Sequence, residues 1–160
     1  MDHTQLTYRD VESLTQDILR QMNKDSWIPD YVVGITRGGL LPAVLISQYL
    51  DVPMETLKVS LRDANSTPES NLWMAEDAFE QKRILIVDDI NDSGATFDWI
   101  KKDWIKTLRI DEDQWPLEII KFAALIHNEP SMQPTDYHGR IINKELDPIW
   151  IEFPFEVWHK

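Results

Sequence analysis

Hydrophobic positions along the chain follow two patterns, one typical of helices and one typical of buried strands. Apolar side chains recur every three to four residues after a capping-box-like segment that begins at Thr7, and this stripe predicts a helix from Thr7 to about Met22. Short uninterrupted apolar runs instead indicate strands that are buried on both faces of a sheet. The predicted strands cover residues 31–35, 54–60, 83–87 and 117–126, and further helices are predicted over 40–50 and 93–108.

Polar and proline-containing stretches separate these elements. Residues 61–77 show no hydrophobic period and are predicted to form a long loop, and residues 127–139 are also predicted to be loop-like. Because strands alternate with helices, we predict an α/β fold with a parallel, doubly wound sheet in a single domain over residues 1–160. In such sheets, ligands bind beyond the carboxyl ends of the strands.

Composition limits the classes of function. The 160 residues are 42% hydrophobic with seven Trp, which is enough for a substantial core, and they include no Cys for a disulfide, a thiolate metal site or a thiol nucleophile. The net charge of −12 disfavours nucleic acid as a partner. No apolar run approaches the roughly 20 residues of a membrane span, and the first residues do not resemble a secretory signal. We therefore expect a soluble, cytoplasmic protein with no membrane partner.

The most informative segment is the predicted strand that ends at Val87 and the turn that follows it. Asp88 and Asp89 come directly after the strand, and small and hydroxyl residues then lead into a helix. A turn of this kind at a helix N-terminus directs backbone N–H groups toward an anion. Carboxylates beside a phosphate are best explained if they bind neighbouring sugar hydroxyls or a bridging Mg²⁺. The local chemistry therefore indicates a ribose 5-phosphate site.

Two other phosphate-binding classes also place acidic residues or glycines near a strand end. A P-loop NTPase would need a Gly-x-x-x-x-Gly-Lys-[Ser/Thr] loop, and a dinucleotide-binding fold would need Gly-x-Gly-x-x-Gly. The sequence contains neither motif. A purely structural strand, turn and helix would not require the acidic pair followed by Asp92, Ser93 and Gly94.

This segment resembles the phosphoribosyl diphosphate (PRPP) signature of type I phosphoribosyltransferases at every position of the motif. The resemblance implies that Asp88 and Asp89 bind the ribose hydroxyls, directly or through Mg²⁺, and that Asp92 is the general base. The residues it implies for the 5-phosphate are Ser93, Gly94, Ala95 and Thr96. Closure of the loop at about 60–77 would seal the site against water.

Two further segments resemble parts of the same family. Arg37 and Gly38 follow a predicted strand and resemble the loop that binds pyrophosphate, for which a guanidinium is well suited. The aromatic tail at 147–156 resembles the C-terminal hood of xanthine-guanine phosphoribosyltransferases, so residues from about 127 to 160 are expected to form a small hood in which Trp150 and Ile151 cover the base.

The sequence departs from the family pattern at the position that contacts the base. Purine enzymes of this family usually carry a Lys after the strand that precedes the hood, where it donates to the 6-oxygen of the purine. The corresponding segment has no Lys, and His127 or Asn128 is the candidate for that donor.

The resemblance implies an enzyme that transfers phosphoribosyl from PRPP to a purine base, expected to be hypoxanthine, guanine or xanthine, with Mg²⁺ as cofactor. The alternatives are a pyrimidine or orotate phosphoribosyltransferase and a non-catalytic, nucleotide-sensing RNA-binding regulator of the same fold. The expected partners are PRPP and a nucleobase, with no nucleic acid. We also expect a homo-oligomer, either a dimer or a tetramer.

Overall fold

A five-stranded parallel sheet forms the centre of the computed structural model, which describes residues 2–59 and 71–160. The strands are β1 (Asp2–Gln5), β2 (Tyr31–Ile35), β3 (Met54–Leu57), β4 (Ile84–Asn91), β5 (Ile120–Asn128), β6 (Tyr137–Ile142) and β7 (Ile149–Glu152). Five of them form the central sheet in the order β3-β2-β4-β5-β6. β1 and β7 form a separate parallel pair. The helices are α1 (Tyr8–Lys24), α2 (Leu40–Leu50), α3 (Leu72–Phe79), α4 (Ala95–Leu108) and α5 (Pro154–Val157).

Helices cover both faces of the sheet, as the alternation of strand side chains requires. Leu85 and Val87 of β4 belong to a core that includes α1 and α2, whereas Ile84 and Ile86 belong to a second core that includes α3 and α4. The parallel, doubly wound α/β fold is therefore confirmed. No helix within residues 2–59 and 71–160 combines the length and the apolar character needed to cross a membrane.

The first predicted helix begins where its capping sequence indicates. Thr7 Oγ1 accepts a hydrogen bond from Asp10 N at 3.0 Å, and Asp10 Oδ2 accepts one from Thr7 N at 2.8 Å. This reciprocal pair is a capping box with Asp in the place of the usual Glu. Val11, Leu14 and Ile18 then form the buried stripe that packs against the sheet.

Several predicted boundaries were wrong. β4 extends to Asn91, because Asp88 and Ile90 continue the parallel pairing with β5, so the acidic pair lies within the strand and not beyond it. Part of the predicted loop at 61–77 is helix α3, whose buried face contains Met74, Ala75 and Ala78. Residues 60–70 of that loop and of the preceding strand lie outside the described residues.

The segment predicted to be loop-like at 127–139 also contains regular structure. β5 continues through Asn128, and the chain returns as β6 at the edge of the five-stranded sheet. Residues 137–142 therefore belong to the main sheet and not to a separate hood. The hood strand β7 pairs instead with β1, where Trp150 lies opposite His3.

Candidate functional site

The strand order places one crevice of the sheet between β2 and β4. The chain passes outward from β2 to β3 and then returns to the other side of β2 as β4. The segments after β2 and β4 therefore diverge at the carboxyl end of the sheet, which is where open α/β sheets bind their ligands. A cavity of about 300 Å³ occupies this position.

The cavity brings together nearly all of the residues expected from the sequence. Its lining includes Gly38 from the loop after β2 and Ile151 from β7. The remaining predicted residues in its wall are Asp88, Asp89, Asp92, Ser93, Gly94, Ala95, Thr96 and Trp150. The wall also contains Lys144, Phe153 and Glu156. The predicted phosphate loop, acidic pair and base-covering tail thus share one cavity.

The turn between β4 and α4 requires glycine for two reasons. Gly94 has φ of 90°, a left-handed conformation that side chains disfavour. A Cβ atom there would also lie 2.6 Å from the backbone nitrogen of Gln133. Ser93 Oγ accepts a hydrogen bond from Ala95 N at 3.2 Å, and α4 begins at Ala95 with its N-terminus on the cavity. This arrangement is suited to binding a phosphate.

The two acidic side chains at the end of β4 are held by their own backbone. Asp88 Oδ1 accepts a hydrogen bond from Asp89 N at 2.8 Å, and Asp89 Oδ1 accepts one from Ile90 N at 2.7 Å. Asp89 also lies directly against the backbone of Gly38, where a Cβ atom would come within 2.1 Å of Asp89 Oδ2. The pyrophosphate-type loop and the acidic strand end are therefore in contact.

Arg37 lies beside this cavity and not in its wall. Its peptide bond with Thr36 is cis. The side chain is exposed and lines an adjoining space of about 1070 Å³ together with Lys58 and His159. Thr36, Gly38, Asp89 and Glu156 line both spaces. Arg37 and Lys58 therefore share the adjoining space with Asp89.

The hood side of the cavity is aromatic. Trp150 is 49% exposed, whereas the neighbouring Ile151 and Phe153 are buried. β1 fixes this segment through its parallel pairing with β7 and through the hydrogen bond from Leu6 N to Glu152 O at 2.9 Å. Trp150 therefore presents an accessible ring from a supported strand, while Ile151 and Phe153 secure that strand to the core.

Lys144 is a site residue that the sequence analysis missed. It lies in the turn between β6 and β7, and its Nζ donates a hydrogen bond to Asp92 Oδ2 at 2.8 Å. Its backbone N–H donates to Asn128 Oδ1 at 3.0 Å. Lys144 follows Asn128 by 16 positions along the chain, so no local sequence spacing identifies Lys144 as a site residue. Among the residues that line the cavity, Lys144 supplies an ammonium group on the base-covering side.

His127 does not reach the cavity, contrary to its predicted role at the base. Its ring stacks on His138 with centroids 5.7 Å apart, and its Nδ1 lies 3.1 Å from Asn91 Nδ2. Because that amide nitrogen donates and does not accept, this contact forms with Nδ1 unprotonated. Burial and, second, His138 hold the pKa of His127 below its usual value. His127 thus belongs to the network behind the phosphate loop.

Comparisons with known proteins agree with the geometry. The chain matches the phosphoribosyl transferase domain over residues 1–160. It is 42% identical over 130 residues to a xanthine-guanine phosphoribosyltransferase of Cereibacter sphaeroides, covering 79% of this chain and 68% of that protein. The chain therefore belongs to the phosphoribosyltransferase family, and the prediction of an enzyme of this class is confirmed.

Solved structures share the fold. A purine phosphoribosyltransferase from Pyrococcus horikoshii superposes with a TM-score of 0.70 at 25% identity, covering 97% of this chain and 95% of that chain. A xanthine-guanine-hypoxanthine phosphoribosyltransferase from Helicobacter pylori superposes with a TM-score of 0.69 at 19% identity, covering 97% and 94%. The type I phosphoribosyltransferase architecture thus extends over nearly the whole chain.

Proposed function

We propose that this protein transfers the phosphoribosyl group of PRPP to a 6-oxopurine, namely hypoxanthine, guanine or xanthine, and releases pyrophosphate and a nucleoside monophosphate. The observation that carries the proposal is the single cavity that joins the PRPP signature to an exposed indole and an ammonium group. The names of the relatives from Cereibacter sphaeroides and Pyrococcus horikoshii support a purine as the acceptor.

The two loops that follow β2 and β4 would bind PRPP. The turn from Ser93 to Thr96 would hold the 5-phosphate at the N-terminus of α4. Asp88 and Asp89 would accept hydrogen bonds from the ribose hydroxyls. Gly38 would admit the pyrophosphate close to the backbone, and Arg37 would approach it from the adjoining space.

The residues present fit a Mg²⁺ ion shared with the substrate. Asp88 and Asp89 are half-buried carboxylates on one wall, and each uses one oxygen for a backbone N–H group. Mg²⁺ is usually bound by one or two carboxylates together with substrate phosphates. Within residues 2–59 and 71–160, no cluster of three or more His, Asp or Glu side chains could hold a metal without the substrate. When bound, Mg²⁺ would neutralise charge on the departing pyrophosphate.

The base would lie between the hood and Asp92. Trp150 would stack on the flat ring, an interaction worth on the order of 1–3 kcal/mol. We assign the donor for the 6-oxygen to Lys144 rather than to His127, because only Lys144 lines the cavity. An ammonium group donates but cannot accept, so it would favour a carbonyl over an amino group at this position.

In the proposed reaction, a ring nitrogen of the purine forms a bond to C1′ while the bond from C1′ to the pyrophosphate oxygen breaks. The proton on that ring nitrogen passes to Asp92, and the pyrophosphate leaves with the bonding electron pair. Positive charge develops on the ribose, and the neighbouring carboxylates stabilise it. A positioned general base contributes about 10² to 10⁴-fold to the rate.

The test is a pyrophosphate-release assay with PRPP, Mg²⁺ and a panel of hypoxanthine, guanine, xanthine, adenine, uracil and orotate. We expect turnover of the 6-oxopurines. Asp92→Asn should lower kcat by at least about tenfold and leave PRPP affinity largely intact. Asp98→Asn is the matched control, because Asp98 pairs with Lys102 one turn further along α4 and does not line the cavity.

The same assay distinguishes the alternatives. Preferential turnover of orotate or uracil would assign the pyrimidine function. RNA binding in a filter or gel assay, without turnover of any base, would assign the regulator. An Asp92→Asn variant within about a factor of two of wild type would mean that another group accepts the proton.

A further inference from the structure

Asn128 is a buried amide at the end of β5 that contacts both charged residues on the base side of the cavity. It is 7% exposed. Its Nδ2 donates to Asp92 O at 3.1 Å and to Asp92 Oδ1 at 3.3 Å. Its Oδ1 accepts from Lys144 N at 3.0 Å. One side chain therefore links the segments that follow β4, β5 and β6.

The orientation of this amide is fixed by its partners. Asp92 presents a carbonyl oxygen and a carboxylate oxygen, which accept, and Lys144 presents a backbone N–H, which donates. Rotating the amide by 180° would place acceptor against acceptor and donor against donor. Nδ2 is thus directed at Asp92, and Asn128 does not line the cavity in which the base would lie.

The two charges that Asn128 contacts also pair with each other. Lys144 Nζ lies 2.8 Å from Asp92 Oδ2, and the two side chains are 24% and 30% exposed. Asp92 follows β4 and Lys144 follows β6, so neither strand fixes the distance between them. Holding a long lysine side chain at one carboxylate costs rotamer entropy, so an anchor on the backbone of its turn helps to keep Nζ within reach of Asp92.

We propose that Asn128 is a positioning residue, which sets Asp92 and Lys144 at the separation that the base requires while contacting neither the base nor PRPP. The inference rests on the proposed function for its kinetic consequence. The buried amide acts on Asp92 through the carboxylate and the carbonyl, and on Lys144 through the backbone of its turn. Supporting hydrogen bonds of this kind keep reactive groups in the productive geometry.

Two substitutions distinguish positioning from packing. Asn128→Asp keeps the shape and the acceptor for Lys144 N but turns a carboxylate oxygen toward the oxygens of Asp92. Asn128→Ala removes all three hydrogen bonds and leaves a gap. If Asn128 positions the charges, Asn128→Asp should lower kcat by about tenfold and raise the KM for the base severalfold, and Asn128→Ala should have a smaller effect of roughly threefold. PRPP affinity, measured by calorimetry, should stay within about twofold of wild type.

A packing role predicts the reverse order, because Asp fills the same volume as Asn and Ala does not. Asn128→Asp with wild-type kinetics, or with equal losses for the base and PRPP, would therefore overturn the inference. Asn23→Asp is the matched control, since Asn23 is exposed on α1 and should leave both constants unchanged.

A stability measurement keeps the inference separate from the proposed function. The stability of Asp92→Asn, of Lys144→Met and of the double variant is measured by urea unfolding, which gives a double-mutant cycle. The cycle is measured twice, once in the wild-type background and once in the Asn128→Ala background. The coupling factor compares the effect of the double substitution on the unfolding equilibrium constant with the product of the two single effects. We expect a factor of about three or more in the wild-type background and a factor close to one in the Asn128→Ala background. Equal coupling in both backgrounds would overturn the positioning role. Absence of turnover in wild type, with the coupling lost as expected, would instead refute only the proposed function.

Discussion

Gly38 and Gly39 give a sharp test of the PRPP site, because one added methyl group meets different atoms at each position. At Gly38 it would meet the carboxylate of Asp89, 2.1 Å from Oδ2 and 2.4 Å from Cγ. At Gly39 it would meet backbone atoms of the central strands, 2.2 Å from Val87 O and 2.8 Å from Ile35 N. A side chain can rotate away from a methyl group, whereas a paired strand cannot.

The expected magnitudes follow from those contacts. Ordinary carbon contacts lie at roughly 3.5 Å or more, so in Gly38→Ala the Asp89 carboxylate must withdraw by roughly 1–1.5 Å. That movement weakens its hydrogen bond from Ile90 N, at a cost of about 0.5–1.5 kcal/mol in stability. It also removes a charged contact to the ribose or its metal, worth about 1.5–3 kcal/mol, which corresponds to roughly 10- to 150-fold in PRPP affinity. Gly39→Ala must displace a strand and should cost about 3 kcal/mol or more in stability.

The assay is calorimetric titration with PRPP and Mg²⁺, accompanied by urea unfolding of each variant. Gly38→Ala should be folded and bind PRPP weakly, whereas Gly39→Ala should be strongly destabilised. Gly139→Ala is a control for destabilisation alone. Its methyl group would lie 2.5 Å from Leu125 O, and neither Gly139 nor Leu125 lines the cavity. A folded Gly38→Ala variant that binds PRPP within about twofold of wild type would refute the placement of Asp89 at the ribose.

Three further predictions concern the acidic pair, the hood and the histidine behind the phosphate loop. Replacing both Asp88 and Asp89 with Asn should preserve the fold and weaken PRPP binding about 100-fold by calorimetry, and unchanged affinity would contradict the assignment. Trp150→Ala should raise the KM for the base about tenfold but not that for PRPP, and an equal rise in both would assign Trp150 to the core. Burial and, second, His138 lower the pKa of His127 in the folded state from 6.5. The unfolded chain then binds the proton more tightly, so stability should fall as pH is lowered below 6.5. Urea unfolding should show less of this dependence in His127→Gln, and an unchanged pH dependence would exclude His127 as its source.

The parts of the fold that could be predicted are those with strong local signals. The capping box at Thr7 and the amphipathic stripe of α1 are encoded within one segment, and both were confirmed. The buried strands β2 and β4 were recognisable from continuous apolar runs. The phosphate loop could also be predicted, because its acidic pair, its glycine and the start of its helix follow one another closely in the sequence.

The elements that were missed depend on pairing between distant segments. β1 is a four-residue strand with little buried surface, and backbone pairing with β7 stabilises it. β6 carries exposed and half-buried residues at the sheet edge, so its sequence lacks a continuous apolar run. α3 is only eight residues long, and its buried face consists of Met74 and two alanines. Short elements of this kind leave little periodicity for sequence analysis to detect.

The same division between local and distant contacts applies to the two halves of the candidate site. Each of the two loops in the proposed phosphoribosyl half is one continuous stretch of sequence. Their geometry follows from glycines and a helix N-terminus at the crevice between β2 and β4. The proposed base half consists of Asp92, Asn128, Lys144 and Trp150, which lie on separate segments and come together only in the folded chain. Because Lys144 and Trp150 lie outside the two phosphoribosyl loops, we expect substitutions there to change the preferred base without altering PRPP binding. The choice of base should therefore vary independently of the reaction class, and the base panel should be sensitive to substitutions at Lys144 that PRPP calorimetry does not detect.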